Sequence, residues 1–433
     1  MKISEWGIYL IIFCLPLYLI RFKIFNIPTT MLELLIYILF IFWLIQKGFN
    51  PPSSRPKSGL RTARGIIWPV VLILIGVTIS TIFSWNLRTS AGIWKAWFID
   101  PLLFFIVIVS VIKNTDQIKK IFYSLIFSGF IVSIVSLIYL ILGKLDGQGR
   151  LQAFYTSPNY LAMYLAPILV ISLGLVVFKK DYLSEDTRRC PSGTSRSIPA
   201  CSRLRRQPMA GRSPSLGPTE VGPPCPFGLR MVFLISNLFL LLIILFFTKS
   251  FGAWLGVLGA LIFWLTVYLF RTKNKKIILF FLALTLILIV ILVYFKINSD
   301  QGRRSFNSRL EIWQKAWQVF RDYPVIGIGP GTFQDYFPAY PRWGVPQPHN
   351  LYLAFLLQTG IIGFIGFIWL LAWFFWMGFK IYNLKFTIFT IIVMSAMIYI
   401  LVHGLVDTTY WKNDLSVMFW LIIGMMVVLK NPR

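Results

Sequence analysis

Charge is what this chain has least of. Charged residues make up 13% of its 433 residues, about half of the roughly 25% usual in soluble domains, which excludes an ordinary soluble protein. Cysteine is scarce too, at four. Cys14 falls in an apolar run, and Cys190, Cys201 and Cys225 have neither zinc-ligand spacing nor an oxidising compartment, so neither a zinc site nor a disulfide framework is expected. No small-residue cleavage site follows the first apolar run, since Leu19-Ile20-Arg21-Phe22 is a poor one. That run reads as a retained helix. No internal repeat of useful length is visible, and there are only two histidines, His349 and His403.

What the chain has is apolar length. Hydrophobic residues reach 57% and aromatics 17%. Runs long enough to cross about 30 Å of hydrocarbon lie near 5–21, 31–46, 66–84, 96–112, 121–143, 158–178, 231–247, 252–270, 277–295, 351–378, 386–405 and 413–430. The expected fold class is therefore an all-α polytopic membrane protein with about twelve transmembrane helices. The formal charge of +27 invites a nucleic-acid reading, but its distribution argues against one: with a cytoplasmic N-terminus, 27 of the 42 Lys and Arg fall on the inner side and 15 on the outer. This is the positive-inside bias. Both termini are expected in the cytoplasm, membrane lipid is the expected partner of the basic excess, and nucleic acid is not.

Two polar segments interrupt the helices, dividing the chain into 1–178, 179–230, 231–295, 296–350 and 351–433. Residues 179–230 carry eight of the 24 prolines, ten basic residues and three cysteines. With so little apolar periodicity they are expected to form a disordered cytoplasmic loop. Residues 296–350 are expected outside the membrane and contain a helical pattern: Phe306, Leu310, Trp313, Ala316, Trp317 and Phe320 mark an apolar stripe over 306–321, with Asn307 or Ser308 as the cap. Arg309 projects into that stripe with no acidic neighbour on its face. It needs a ligand anion, or a carboxylate from elsewhere.

The candidates for chemistry gather on the outer side. His349 is expected at a helix N-terminus, where the positive dipole end favours the neutral ring, the form able to act as a general base on a hydroxyl. Pro158-Asn159 and Pro348-His349-Asn350 each place proline at the first turn of a membrane helix. Two helix N-termini facing one compartment favour an anion such as phosphate. Arg150, Arg309 and Arg342 add three guanidinium groups on that side, suited to phosphate oxygens. His403 and Asp407, one helical turn apart, are expected to pair, with a structural tie the more expected role. Glu33 and Asp100 are placed to pair with an outer arginine. Gly327-Ile328-Gly329-Pro330-Gly331 lacks the strand-to-helix context of a dinucleotide loop and reads as tight turning.

Together, Arg309, Trp313, Ala316, Pro324, Gly327, Gly329 and Phe333, then His349-Asn350-Leu351-Tyr352-Leu353 and Gly360, Gly363, resemble the O-antigen ligase and polymerase family. The resemblance implies a GT-C-type membrane glycosyltransferase that uses a glycan on undecaprenyl diphosphate, without cofactor or metal, with inversion at the anomeric carbon. The acceptor hydroxyl would belong to lipid A core, to another glycan repeat in polymerases, or to protein in related enzymes. His349 would be the base, and arginines in the positions of Arg150 and Arg309 would bind the diphosphate. Where family members often carry Ser-Arg-Gly, this chain has Ser250-Phe251-Gly252, with Lys249 as a substitute charge that lacks the guanidinium fork. A polyprenyl-linked glycan transporter or flippase predicts internal repeats and midplane charges, and neither is seen; a structural or sensor membrane protein leaves Arg309 and His349 unexplained.

Replacement of residues 179–230 by a short Gly/Ser linker is expected to leave glycan transfer intact, because such a segment adds little to a membrane fold. Complementation of a deletion strain by the shortened, normally inserted protein measures this.

Overall fold

The computed structural model describes residues 2–25, 27–49, 64–178, 226–272, 298, 300–336, 346–385 and 388–430. Helix α1 (Lys2–Phe13) is followed by a 3-10 turn at Leu15–Leu19 and an antiparallel hairpin, β1 (Arg21–Ile24) with β2 (Ile27–Thr30). Then come α2 (Met31–Phe49), α3 (Arg64–Ile82), α4 (Leu87–Trp94), α5 (Asp100–Val111), α6 (Thr115–Ile141) and α7 (Pro158–Val177). A π-helical turn at Lys95–Ile99 joins α4 to α5 in one continuous span. The second half holds α8 (Pro226–Thr248), α9 (Phe251–Thr272), α10 (Asp300–Asp322), α11 (Leu351–Lys385), α12 (Ile388–His403) and α13 (Asn413–Lys430).

Eight spans are long and apolar enough to cross a bilayer, while Phe251–Val267 and Ile388–His403 are shorter apolar helices. The protein is a multi-pass, all-α membrane protein. Ten of the twelve expected spans coincide with described helices and the first does so in part; the ninth, 277–295, lies outside the described residues, as do 179–225 of the expected loop. Residues 226–230 of that loop are instead the first turn and more of α8. The expected first span is not one continuous α-helix, because Pro16 opens the tighter turn that follows α1.

Local sequence explains most helix starts. Asn114 and Gln117 form a reciprocal capping box on α6, and Ser157 caps α7 with Pro158 in its first turn. For α11 the cap is Asn350, whose Oδ1 accepts from the N–H groups of Tyr352 and Leu353. His349 and Pro348 therefore precede the helix instead of opening it, a correction to the expected boundary. Asn307 and Ser308 are also not caps: α10 begins at Asp300, and both lie in its interior.

The buried face of α10 is rotated from the expected stripe. Ile312, Ala316 and Val319 pack with Ile328, Phe333 and Leu357 into a small separate core. Phe306, Leu310 and Trp317 stay 42%, 37% and 48% exposed. The apolar arc of the helix is wider than the core it covers, so periodicity located the helix but not the centre of its contact.

The loop after α10 turns as expected, with Gly327, Gly329 and Gly331 at φ 70°, 89° and 83°. Here the backbone itself is packed: Ile328 N–H donates to Leu357 O, and Gly329 N–H donates to Ser80 Oγ on α3. Opposite, Gly360 breaks α11 with φ 66°, and a Cβ there would stand 2.1 Å from Val325 O. Gly327 and Gly329 thus hold α10's loop against α3 and α11. They belong to the scaffold.

Two acidic residues find partners other than an arginine. Glu33 pairs with Lys95 and accepts from Asn413 Nδ2 at 2.8 Å, while Asp100 accepts from Tyr37 Oη at 2.7 Å. Both tie α2 to neighbouring helices inside the bundle.

Gly360→Ala is expected to lower thermal stability by at least about 1–2 kcal/mol from the left-handed conformation alone, with the clash adding to it. Gly147→Ala, with nothing within 4 Å of the added carbon, should be nearly neutral. Melting of the two purified variants against wild type tests the contrast.

Candidate functional site

Four loops and helix ends converge at one end of the bundle: 143–157 before α7, the Lys249–Ser250 corner between α8 and α9, the first half of α10, and 404–412 after α12. Between them lies a cavity of about 270 Å³, its wall including Arg150, Asn159, Lys249, Phe251, Arg309, His403 and Asp407.

Asp407 is the centre of this arrangement. Its Oδ1 lies 3.1 Å from His349 Nδ1 and accepts from Thr408 N–H; its Oδ2 accepts from Asn159 Nδ2 at 2.8 Å. Asn159 Oδ1 in turn accepts from an Arg150 terminal nitrogen at 2.6 Å. A continuous chain of polar contacts thus runs Arg150, Asn159, Asp407, His349. The expected pairing of Asp407 with His403 is corrected by this geometry: α12 ends at His403, so Asp407 leaves the helix and turns toward His349, while His403 Nδ1 meets Tyr399 Oη at 2.7 Å.

Burial raises the Asp407 carboxyl pKa, but the His349 ring, its hydrogen bond, His403 and Arg309 together outweigh that and hold it below the usual carboxylate range. Asp407 is therefore ionised at neutral pH. In a neutral ring whose Nδ1–H donates to this carboxylate, the lone pair is on Nε2. The side chain of His349 is 34% exposed against 4% for Asp407, so one edge of the ring is anchored and the rest is accessible. His349 is itself held at φ 46°, a costly conformation for a residue with a Cβ. Trp313 Nε1 donates to Pro348 O at 3.0 Å and fastens this strained segment to α10.

The cations are also built in. Asp146 Oδ1 accepts from the N–H groups of Gln148 and Arg150, making a compact turn from Asp146-Gly147-Gln148-Gly149. Arg150 Nε then donates to Thr248 O. Burial lowers the pKa of this guanidinium and the nearby Arg309 charge adds to the effect, against Asp146 and Asp407. Arg309 Nε donates to Val406 O at 3.1 Å, and its Nη1 donates to Ser305 O and Oγ. Arg309 is held by these neutral acceptors, and its charge acts on Asp407, the residue after Val406, only as one of the influences that lower that carboxyl's pKa. Lys249 sits in the wall at φ 50°. Three positive side chains face a cavity whose carboxylate is already committed to His349, so the space is suited to an anion.

The rest of the wall is apolar or small. Phe251 opens α9 and lines the cavity. A Cβ on Gly252 would stand 2.4 Å from His403 Cδ2, so glycine is what lets α9 approach His403. Asn350 is the cap of α11 and also donates to Leu405 O. Arg342 lies outside the described residues. Sequence reading missed Asp146, Ser305 and Val406; only Asp146 carried a local signal, the Asp-Gly turn.

Residues 236–368 match a family model, Wzy_C, described as O-Antigen ligase. Over this stretch the chain is similar to the O-antigen ligase family. The match includes Lys249, Arg309 and His349, whereas Arg150, Asn159 and Asp407 lie outside it and join the site through the fold. Among curated proteins none matches the chain. The family describes a glycosyltransferase-like enzyme of polysaccharide biosynthesis, with a lipid-linked glycan donor and an acceptor.

Asp407→Ala should leave the Asn159 amide and the His349 ring without their shared acceptor. A loss of about 1–3 kcal/mol is expected for such buried groups, with a smaller loss for Asp407→Asn. Thermal melting of the purified variants measures both.

Proposed function

We propose that the protein moves a glycan from undecaprenyl diphosphate to a hydroxyl acceptor on the outer face of the bacterial cytoplasmic membrane, as an O-antigen ligase. One observation carries this reading: an imidazole–carboxylate pair joined through Asn159 to a cavity that holds Arg150, Lys249 and Arg309. The positive-inside bias supports the outer assignment of that cavity.

In this reading the donor diphosphate lies among Arg150, Arg309 and Lys249, with the start of the polyprenyl chain against Phe251, Leu255 and Phe306. The acceptor hydroxyl, on lipid A core in a ligase and on a glycan repeat or protein in related enzymes, approaches the anomeric carbon from the side opposite the diphosphate. Its oxygen forms the new bond to that carbon. The old carbon–oxygen bond breaks with its electron pair passing to the diphosphate, and His349 Nε2 takes the hydroxyl proton. Single displacement inverts the anomeric centre. Charge growing on the leaving group is stabilised by guanidinium and ammonium groups already in place, with no metal required. Asp407 acts as a positioning residue that fixes the ring and stabilises its protonated form.

His349→Ala is expected to slow transfer by about 10²–10⁴ while donor binding stays near wild type, and EDTA should leave the wild-type rate unchanged. Purified protein, a polyprenyl-diphosphate glycan and a hydroxyl acceptor provide the assay. Full activity of the alanine variant would remove His349 as the base, and strict dependence on a divalent ion would replace this mechanism.

Arg309→Lys should weaken donor binding about tenfold or more, because a lost charge-assisted hydrogen bond is worth about 1.5–3 kcal/mol. Phe251→Arg is expected to change affinity in the opposite direction. Titration of both variants with undecaprenyl diphosphate checks the pair.

A further inference from the structure

A second cavity, of about 700 Å³, adjoins the first. It is lined by Gln148, Arg150, Arg304, Ser305 and Ser308. Arg150 and Ser305 belong to both walls, so the two spaces adjoin at these residues. Their chemistry differs. The first mixes phenylalanine, leucine and tryptophan with its cations; the second is bordered by an amide, two hydroxyls and two guanidinium groups.

From the first space to the second the lining changes from apolar side chains mixed with cations to polar side chains alone. A polyprenyl-diphosphate glycan changes in the same direction: hydrocarbon and diphosphate, then sugar. Resting on the donor reading above, we propose that the polar chamber receives the sugar attached to the diphosphate and that this sugar carries an acidic group, such as the carboxylate of a hexuronic acid.

The charge of the chamber supports the acidic sugar over a neutral one. None of its described lining residues is acidic. Asp146, the carboxylate nearest in sequence, holds the N–H groups of Gln148 and Arg150, and Asp407 is committed to His349 and Asn159. Arg150 spends Nε and one terminal nitrogen on Thr248 and Asn159. The exposed side chain of Arg304, about two and a half turns before Trp313 on α10, forms no hydrogen bond or ion pair among the described residues, and its planar fork matches a carboxylate. Ser308, one turn further along the same helix, adds a hydroxyl on the same side. A neutral hexose would use the hydroxyls and the amide of this wall. An acidic one would also use the guanidinium.

The test is binding of three lipids to the purified full-length protein in neutral detergent: undecaprenyl diphosphate alone, the same lipid bearing one hexose, and the same lipid bearing one hexuronic acid. The hexuronic acid form is expected to bind about tenfold tighter than the hexose form. Arg304→Gln should erase that difference and leave the other two lipids unchanged. Equal affinity for the two glycolipids in the wild type would overturn the acidic-sugar assignment while leaving the donor reading standing. Failure of undecaprenyl diphosphate itself to bind would instead overturn the donor reading. If phosphatidylglycerol displaces the hexuronic acid lipid from wild type but not from Arg304→Gln, Arg304 is a headgroup contact and the assignment falls.

Discussion

The site depends on one carboxylate that is both buried and ionised. A buried charge is tolerated only when hydrogen bonds and opposite charges replace water, and Asp407 has hydrogen bonds to Asn159, His349 and the Thr408 N–H and the charge of Arg309 nearby. Each partner comes from a different part of the chain, at the start of α7, before α11 and after α12. Satisfying Asp407 therefore sets the relative position of these segments. The constraint also reaches Arg150 through Asn159, so the anion-binding side of the cavity and the histidine share one polar framework.

The second constraint is repulsion. Burial, with the nearby Arg309 charge adding to it, lowers the pKa of the Arg150 guanidinium, an arrangement that folding alone would disfavour. It is held by neutral acceptors, the carbonyls of Thr248, Val406 and Ser305, which orient the guanidinium groups without cancelling their charge. An anion entering the cavity meets groups whose orientation is already settled. Pre-organisation of this kind favours both affinity and transition-state stabilisation.

The scaffold behind the site works by close backbone packing. Gly329 N–H reaches Ser80, Ile328 N–H reaches Leu357, and Gly360 admits Val325 O. These contacts seat the α10 loop on α3 and α11, and α10 carries both Arg309 and Trp313. Trp313 then holds Pro348, next to the strained His349. A conformation as unfavourable as that of His349 persists because it is fastened on both sides, to α10 by its neighbour and to Asp407 by its ring.

Much of this was legible in the residues themselves. Apolar run length identified the membrane helices because hydrocarbon thickness imposes it, and loop charge bore on orientation. The motif around His349, Arg309 and the glycines indicated the family because those residues are close in the chain. Local pattern failed where a boundary depended on a cap or a side-chain destination: Asn350 moved the start of α11 past His349, and the face of α10 was set by the core it met. Asp407 is the clearest instance. Four residues separate it from His403, and helical spacing alone joins the two, yet the helix ends and the carboxylate turns to a histidine 58 positions away. Sequence by itself determined the membrane class and pointed to the family resemblance and to the residue types gathered at the candidate site, since these follow from composition and local spacing. Only the tertiary structure decided which cation, amide and imidazole Asp407 holds, because contacts between distant segments are chosen by packing and by the need to satisfy buried charge.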